Sequence, residues 1–159
     1  MVVLGLDISS SSTGWAILKR GRFYKREGID YGWIRPSLKF TLAKKLSFFR
    51  ENLVTLLETL RPEIVVIEDV YYFRNPKTLK LLSRFSGVAV EAVKTTLGID
   101  PMIETVKSIR TILGPQDKEE IFSAAIKKFK LTNWKFKTHN DIIDALIAAL
   151  YGSNKEKQK

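Results

Sequence analysis

The chain contains no cysteine, which excludes disulfide bonds, thiolate-bound zinc and a cysteine nucleophile. It also lacks a long apolar run, because no stretch approaches the roughly 18 residues of a membrane span. The first apolar run has no charged leader before it and is interrupted by Asp7, so we expect no signal peptide. Together these absences predict a soluble, cytoplasmic protein with no membrane partner.

Low-complexity tracts and internal repeats are absent as well. A length of 159 residues suits one domain with a core of ordinary size. We expect this single domain to cover residues 1–152 and to be followed by a flexible basic tail, residues 153–159.

Positively charged residues outnumber negatively charged ones. The chain has 27 Lys and Arg against 17 Asp and Glu, a formal net charge of +10. Such an excess favours nucleic acid as a partner, because the phosphate backbone supplies much of the binding energy electrostatically.

The hydrophobic pattern predicts an α/β fold with a mixed five-stranded sheet flanked by helices. Its first three strands would form an antiparallel meander, and helical crossovers would make the later strands parallel to the first. The predicted strands are 2–7, 15–18, 23–34, 64–68 and 101–106, and the predicted helices are 38–60, 76–97, 117–130 and 141–151.

Four carboxylates lie where an apolar pattern favours other residues. Asp7 and Glu68 each close an apolar strand, and the carboxyl ends of parallel strands are where chemistry gathers in such sheets. Asp141 and Asp144 open the last helix, three positions apart and therefore on one face. Each acid alone has an ordinary structural explanation as a turn or cap residue, but together they predict one acidic cluster.

Converging carboxylates repel one another unless a cation is bound. Oxygen ligands select Mg²⁺ or Mn²⁺, and two such ions can activate a water and stabilise the leaving oxygen of a phosphodiester. His139, the only histidine, is interpreted first as a solvent-exposed residue at the helix entry. The alternative is an auxiliary residue that assists proton transfer near the metals.

The acids and their surroundings resemble the RuvC family of Holliday junction resolvases, within the RNase H-like superfamily. The similarity covers nearly the whole chain. The matching motifs are Leu4-Gly5-Leu6-Asp7 with Ser12-Thr13-Gly14-Trp15-Ala16, Ile67-Glu68-Asp69-Val70-Tyr71, Asn75 through Leu81 with Gly87-Val88-Ala89, and Asp141-Ile142-Ile143-Asp144-Ala145-Leu146.

This resemblance implies an RNase H-like domain that acts as a homodimer on branched DNA, chiefly four-way junctions, which it cuts by paired symmetrical hydrolysis. It implies two Mg²⁺ or Mn²⁺ ions per site, with the four acids as catalytic metal ligands. Lys107 and Lys118 match two lysines that contact substrate, and Tyr71 matches an aromatic that stacks on bases near the crossover.

The residues themselves suggest further DNA contacts. Three aromatics and a guanidinium follow Glu68, and stacking on an unpaired base contributes roughly 1–3 kcal/mol in single-strand binders. A basic stripe and a second basic patch come after this loop. The candidate DNA-binding residues are Tyr71, Tyr72, Phe73, Arg74, Lys77, Lys80, Arg84, Lys107, Arg110 and Lys118.

Two alternatives keep the fold but change the function: a flap, fork or RNA–DNA hybrid nuclease, and a non-catalytic junction-binding protein. Retention of all four acids argues against the second. An ATPase of the actin-like superfamily also has a first strand that ends in Asp, but this chain is too short for the two lobes that enclose a nucleotide.

Overall fold

A computed structural model describes residues 1–19, 22–23, 31–70, 75–114 and 117–156. Its strands are β1 (Val2–Asp7), β2 (Thr13–Lys19), β3 (Arg22–Phe23), β4 (Tyr31–Ile34), β5 (Ile64–Glu68) and β6 (Met102–Glu104), and its helices are α1 (Leu42–Leu60), α2 (Pro76–Leu97), α3 (Val106–Arg110), α4 (Lys118–Phe129) and α5 (Phe136–Glu156).

The sheet is mixed, as the sequence predicted. Strand order is β3-β2-β1-β5-β6, and β4 also pairs with β2. The pairs of β1 with β2 and of β2 with β3 and β4 are antiparallel, whereas β5 is parallel to β1 and to β6. The predicted third strand, 23–34, corresponds to the separate segments β3 and β4, and residues 24–30 between them lie outside the described ranges.

The two sides of the sheet are covered differently. On one side, α1 and α2 pack over Leu4, Leu6, Val65 and Ile67. On the other side, α5 crosses β1 and β2 over Val3, Ala16, Leu18 and Val66, with α3 and α4 beside it. The apolar run of β1 is therefore continuous because both of its faces are buried.

Caps explain where the helices begin and end. The side chain of Thr41 accepts a hydrogen bond from the backbone N–H of Lys44 at the start of α1, and Asn75 does the same for α2, which has Pro76 in its first turn. At the end of α2, Gly98 adopts a left-handed conformation with φ 75°. Such caps satisfy the backbone groups that a helix end leaves unpaired.

The last helix is longer than predicted. It begins at Phe136 rather than at residue 141, so Asp141 lies beyond the first turn, and it continues to Glu156. Residues 153–156, which we placed in the tail, are helical, and Ser153 is buried; residues 157–159 lie outside the described ranges. The helix α3 was not predicted, because five residues are too few to establish a hydrophobic period.

Within the described ranges, none of the helices combines the length and hydropathy needed to cross a lipid bilayer.

Candidate active site

Asp7 and Glu68 meet at the carboxyl edge of the sheet. Leu6 pairs with Ile67 in the parallel register of β1 and β5, so the next residues, Asp7 and Glu68, lie side by side. Side chains of a strand alternate between its two faces. Asp7 lies at i+4 from Val3 and therefore shares with it the face that α5 covers. The sequence predicted this neighbourhood, and the strand register produces it.

Helix α5 brings the other two acids to the same place because glycine lets it approach closely. A Cβ at Gly5 would overlap the carbonyl oxygen of Ala145 and lie 2.7 Å from the backbone nitrogen of Ala149. A Cβ at Gly14, the β2 partner of Asp7, would lie 2.6 Å from the carbonyl carbon of Asp141. The backbone of Asp141 therefore rests directly beside the end of β1.

Asp144 follows one turn later and is only 7% exposed. A buried carboxylate is costly unless it is paired, and Lys118 supplies the pairing. Its Nζ lies 3.2 Å from Oδ2 of Asp144. Lys118 is the first residue of α4, so the packing of α4 against α5 carries this ammonium into the acidic cluster.

The pKa values of three of the acids respond to burial and to one another's charges. Burial is the largest cause that raises the pKa of the Asp7 carboxyl well above its usual value, and the negative charges of the other three acids raise it further. Burial and the charge of Asp144 raise the pKa of Glu68 to about 7. Burial also raises the pKa of Asp144, although Lys118 and Arg110 oppose the rise.

The pKa of the Lys118 ammonium is raised by the neighbouring carboxylates. Burial lowers the pKa of its ammonium, but the carboxylates of Asp144 and Asp7 raise it by more, so the net shift is upward. Arg110 lowers the pKa of Glu68 and so lies within electrostatic reach of the cluster. Sequence patterns assigned both residues to DNA contact alone, since no local signal shows that α3 and α4 return to the acids.

The donor chemistry of this cluster fits a hard divalent cation. Its oxygen donors are carboxylates, which Mg²⁺ and Mn²⁺ prefer, and burial together with neighbouring negative charge raises the pKa of Asp7, Glu68 and Asp144. A cleft of about 110 Å³ opens beside them, lined by Asp7, Ile8, Glu68, Asp69, Val70, Leu82 and Val106. Among the described residues, however, no group of three or more His, Cys, Asp or Glu side chains is arranged so that it could hold a metal ion.

His139 contacts aromatic side chains on the side of β4. Its Nδ1 accepts a hydrogen bond from the backbone N–H of Lys135 at 3.1 Å. Its ring centroid is 5.0 Å from that of Trp134 and 6.0 Å from that of Trp33. These contacts give His139 a structural role at the start of α5, in a partly buried rather than fully exposed position.

The described candidate DNA-binding residues on α2 and α3 belong to helices that contribute a residue to the lining of the acidic cleft. Lys77, Lys80 and Arg84 are exposed on α2, the helix whose Leu82 lines the cleft. Lys107 and Arg110 lie on α3, just beyond β6, whose Glu104 pairs with Glu68. The predicted stacking loop, Tyr71, Tyr72, Phe73 and Arg74, lies outside the described residues.

Known proteins match this chain along nearly all its length. The family model described as "Crossover junction endodeoxyribonuclease RuvC" matches residues 3–151. The protein of that name from Acidobacterium capsulatum is 35% identical over 131 residues, covering 76% of this chain and 75% of the relative. The one from Petrotoga mobilis is 31% identical over 157 residues, covering 97% and 94%.

Solved structures agree with the fold. The structure described as T. thermophilus RuvC in complex with Holliday junction substrate superposes with a TM-score of 0.84 at 18% identity, covering 99% of this chain and 96% of that one. The yeast mitochondrial Holliday junction resolvase gives a TM-score of 0.63 at 14% identity, covering 98% of this chain and 79% of that one. The predicted RNase H-like fold is confirmed.

Proposed function

Because this chain belongs to the RuvC family of crossover junction endodeoxyribonucleases, we propose that it resolves four-way DNA junctions by hydrolysing one phosphodiester in each of two strands. The observation that carries this proposal is the partly buried cluster of Asp7, Glu68, Asp141 and Asp144 at the sheet edge, in a chain whose net charge is +10. A cluster of acids in a basic protein suits a cation-dependent reaction on a polyanion.

Asp7, Glu68, Asp141 and Asp144 would hold two Mg²⁺ or Mn²⁺ ions. Such ions, when bound, activate the attacking water and stabilise the leaving oxygen. Asp7 would be the central ligand, because it comes from the central strand and the charges of the other three acids all act on it. Lys118 pairs with Asp144, and its ammonium would contact a substrate phosphate beside the acids.

The reaction is an in-line displacement at phosphorus. A water oxygen forms a new bond to phosphorus as the bond to one deoxyribose oxygen breaks, and that oxygen takes up a proton. The four carboxylates supply the oxygen ligands, and the low exposure of Asp144 keeps bulk water away from part of the site. Lys77, Lys80, Arg84, Lys107 and Arg110 would bind phosphates on either side of the cleft.

A dimer follows from the substrate's symmetry as well as from the family. Two symmetrical cuts need two active sites, and a two-fold dimer provides them with the same symmetry as a four-way junction. We therefore propose a homodimer, with the single domain predicted for residues 1–152 as its unit.

The test compares cleavage of end-labelled DNA substrates in Mg²⁺ and in Mn²⁺. We expect paired symmetrical nicks in a four-way junction, at a higher rate than in a flap, a replication fork or an RNA–DNA hybrid. A preference for any of those three would keep the chemistry and replace the substrate. Tight junction binding without cutting in either metal would contradict the proposal and favour a non-catalytic binding protein.

A further inference from the structure

Arg35 lies at the same sheet edge as the acidic cluster, although its sequence neighbourhood gives no sign of this. Asp7 pairs with Gly14, and Gly14 pairs with Trp33, so the three form one row across β1, β2 and β4. Residues directly opposite in neighbouring strands share a face, and strands are about 4.8 Å apart. Trp33 therefore lies on the face of Asp7, roughly 10 Å away along the sheet.

The guanidinium of Arg35 is held in place by two neutral groups. Its Cζ lies 4.3 Å from the centroid of the Trp33 ring, and its Nε donates a hydrogen bond to Oγ of Ser12 at 3.0 Å. A guanidinium carries five N–H donors, and the described hydrogen bonds of Arg35 use one of them. The remaining edge of an exposed side chain is available to a ligand.

The anchor for Arg35 is itself fixed. Ser12 lies in a turn where Oγ of Ser9 accepts hydrogen bonds from the backbone N–H groups of Ser11 at 3.3 Å and Ser12 at 3.4 Å. Oγ1 of Thr13 donates to the carbonyl oxygen of Ser9 at 3.0 Å. The turn begins two residues after Asp7, so the direction of the guanidinium is tied to the position of the acid.

The charge of Arg35 is not compensated by any acid in the described part of the chain. Arg50, by contrast, pairs with both oxygens of Glu91, and Lys118 pairs with Asp144. A stacked guanidinium with neutral partners loses little conformational entropy on binding and can contact a phosphate through two N–H groups. Phosphate is the anion that this edge of the protein is proposed to meet.

We propose that Arg35 is a positioning residue that binds one phosphate of the cleaved strand, flanking the phosphate held at the acids. Trp33 and Ser12 set the direction of the guanidinium, and the row from Asp7 through Gly14 to Trp33 sets its distance. This role rests on the proposed nuclease function, because it concerns the strand that the acids cut.

The experiment removes the charge first from the protein and then from the DNA. Arg35→Gln is compared with Arg61→Gln, an equal change at an exposed arginine that ends α1, at the opposite edge of the sheet. We expect Arg35→Gln to lower single-turnover cleavage on the order of 10-fold, and Arg61→Gln to leave it unchanged. Junctions carrying one neutral methylphosphonate, moved along the positions that flank the cut, then locate the contact.

At one position, the methylphosphonate should lower the cleavage rate of the wild-type protein as much as Arg35→Gln does. The same methylphosphonate should cause no further loss of rate in the Arg35→Gln variant. A loss of fold alone would not produce this non-additivity at a single phosphate. Arg35→Lys should restore part of the rate, because it keeps the charge but neither the planar stacking nor the paired donors. Equal rates for Arg35→Gln and wild type, or additive losses at every position, would overturn the proposal.

Binding measured in EDTA separates this proposal from the nuclease function. Without one phosphate contact, the salt dependence of DNA affinity should fall by about one unit of slope for Arg35→Gln, whether or not the wild type cuts junctions. An unchanged slope would remove Arg35 from the DNA interface. Absent cleavage by the wild type with a changed slope would instead overturn the nuclease proposal alone.

Discussion

The two faces of the sheet differ although they share the same strands. Along β1, Leu4 and Leu6 point to α1 and α2 and are fully buried among apolar side chains, where the rings of Phe49 and Phe85 pack edge to face with centroids 5.3 Å apart. The alternate residues of β1 include Gly5 and Asp7 and face α5. The first face is apolar, whereas the second combines an apolar core with charged groups and closely packed backbone at the end of β1.

The difference shows what each face contributes. Burial of apolar surface on the α1–α2 side stabilises the fold by roughly 25 cal/mol per Å². The α5 side is stabilised in the same way by an apolar cluster of its own, but it also holds Asp7, Glu68 and Asp144, whose pKa values burial raises because it disfavours the ionised forms. We infer that apolar burial on both faces offsets the cost of the acids, so changes at the α1–α2 face and changes beside the acids should have separable effects on stability and on cleavage.

The largest effect is expected for Asp7→Asn. Removing the central carboxylate should lower cleavage on the order of 10³-fold or more, while junction binding stays intact or strengthens because repulsion toward phosphate falls. Single-turnover cleavage and binding of the same labelled junction would measure both. Asp100→Asn, which changes an exposed acid paired with Lys94, is the matched control. Wild-type cleavage by Asp7→Asn would end the metal-site assignment.

The converse change lies on the apolar face. Phe85→Leu should lower the free energy of unfolding by about 1–2 kcal/mol, because the fully buried ring loses its contact with Phe49. Cleavage measured well below the melting temperature should not change. A loss of cleavage in the folded Phe85→Leu protein would show that the two faces are coupled.

The next effect compares two identical substitutions. Gly5→Ala would push the backbone of α5 at Ala145 and Ala149 away from β1, and we expect a loss of about 1–3 kcal/mol in stability. Cleavage should also fall on the order of 10²-fold in the folded variant, since a displacement of the α5 acids by about 1 Å suffices for that. Urea unfolding and single-turnover cleavage would measure the two losses.

Gly87→Ala is the control for this substitution, because no atom lies within 4 Å of a Cβ added there. Gly87 lies inside α2, where alanine is favoured over glycine by up to about 1 kcal/mol. The variant should be slightly more stable and fully active. Equal losses in the two variants would mean that close packing of α5 on β1 is not what positions Asp141 and Asp144.

The sequence predicted the elements that have a clear hydrophobic period or an acid at the end of an apolar run. Asp7 and Glu68 ended apolar runs, and helical spacing together with Pro76 located α2. Residues 153–156 were misassigned because their polar composition is typical of a tail, whereas the end of α5 packs over the sheet: a Cβ at Gly152 would meet the side chains of Val66 and Val3, and Ser153 is buried. Local patterns also do not show which distant elements meet.

The candidate site likewise has parts that the sequence predicted and parts that depend on tertiary packing. The four acids could be predicted, since each interrupted a pattern, but their dependence on Gly5 and Gly14 could not, because a glycine in a strand has several explanations. The pairing of Lys118 with Asp144 and the row from Asp7 to Trp33 arise from helix packing and strand register. These are properties of the assembled sheet rather than of any one segment.

The smallest effect concerns pH and tests whether the acids on the α5 face lower the stability of the fold. Glu68 has a pKa of about 7 in the folded protein and a usual value of 4.5, so the folded state binds more protons than the unfolded state between these values. Stability should therefore fall as pH rises through this window. The melting temperature in EDTA should decrease by several degrees from pH 5 to pH 8, and the raised pKa of Asp7 acts in the same direction.

Glu68→Gln isolates the contribution of Glu68. Glutamine has nearly the same shape as glutamate but no proton to lose as pH rises. The decrease in melting temperature with pH should therefore be shallower in the variant. Saturating Mg²⁺ should stabilise the wild type more at pH 8 than at pH 5, because the ion binds ionised carboxylates. If instead the wild type gained stability from pH 5 to pH 8 in EDTA, the carboxylates would not be mutually repelling in the fold. The contrast between the two faces of the sheet would then lose its energetic basis.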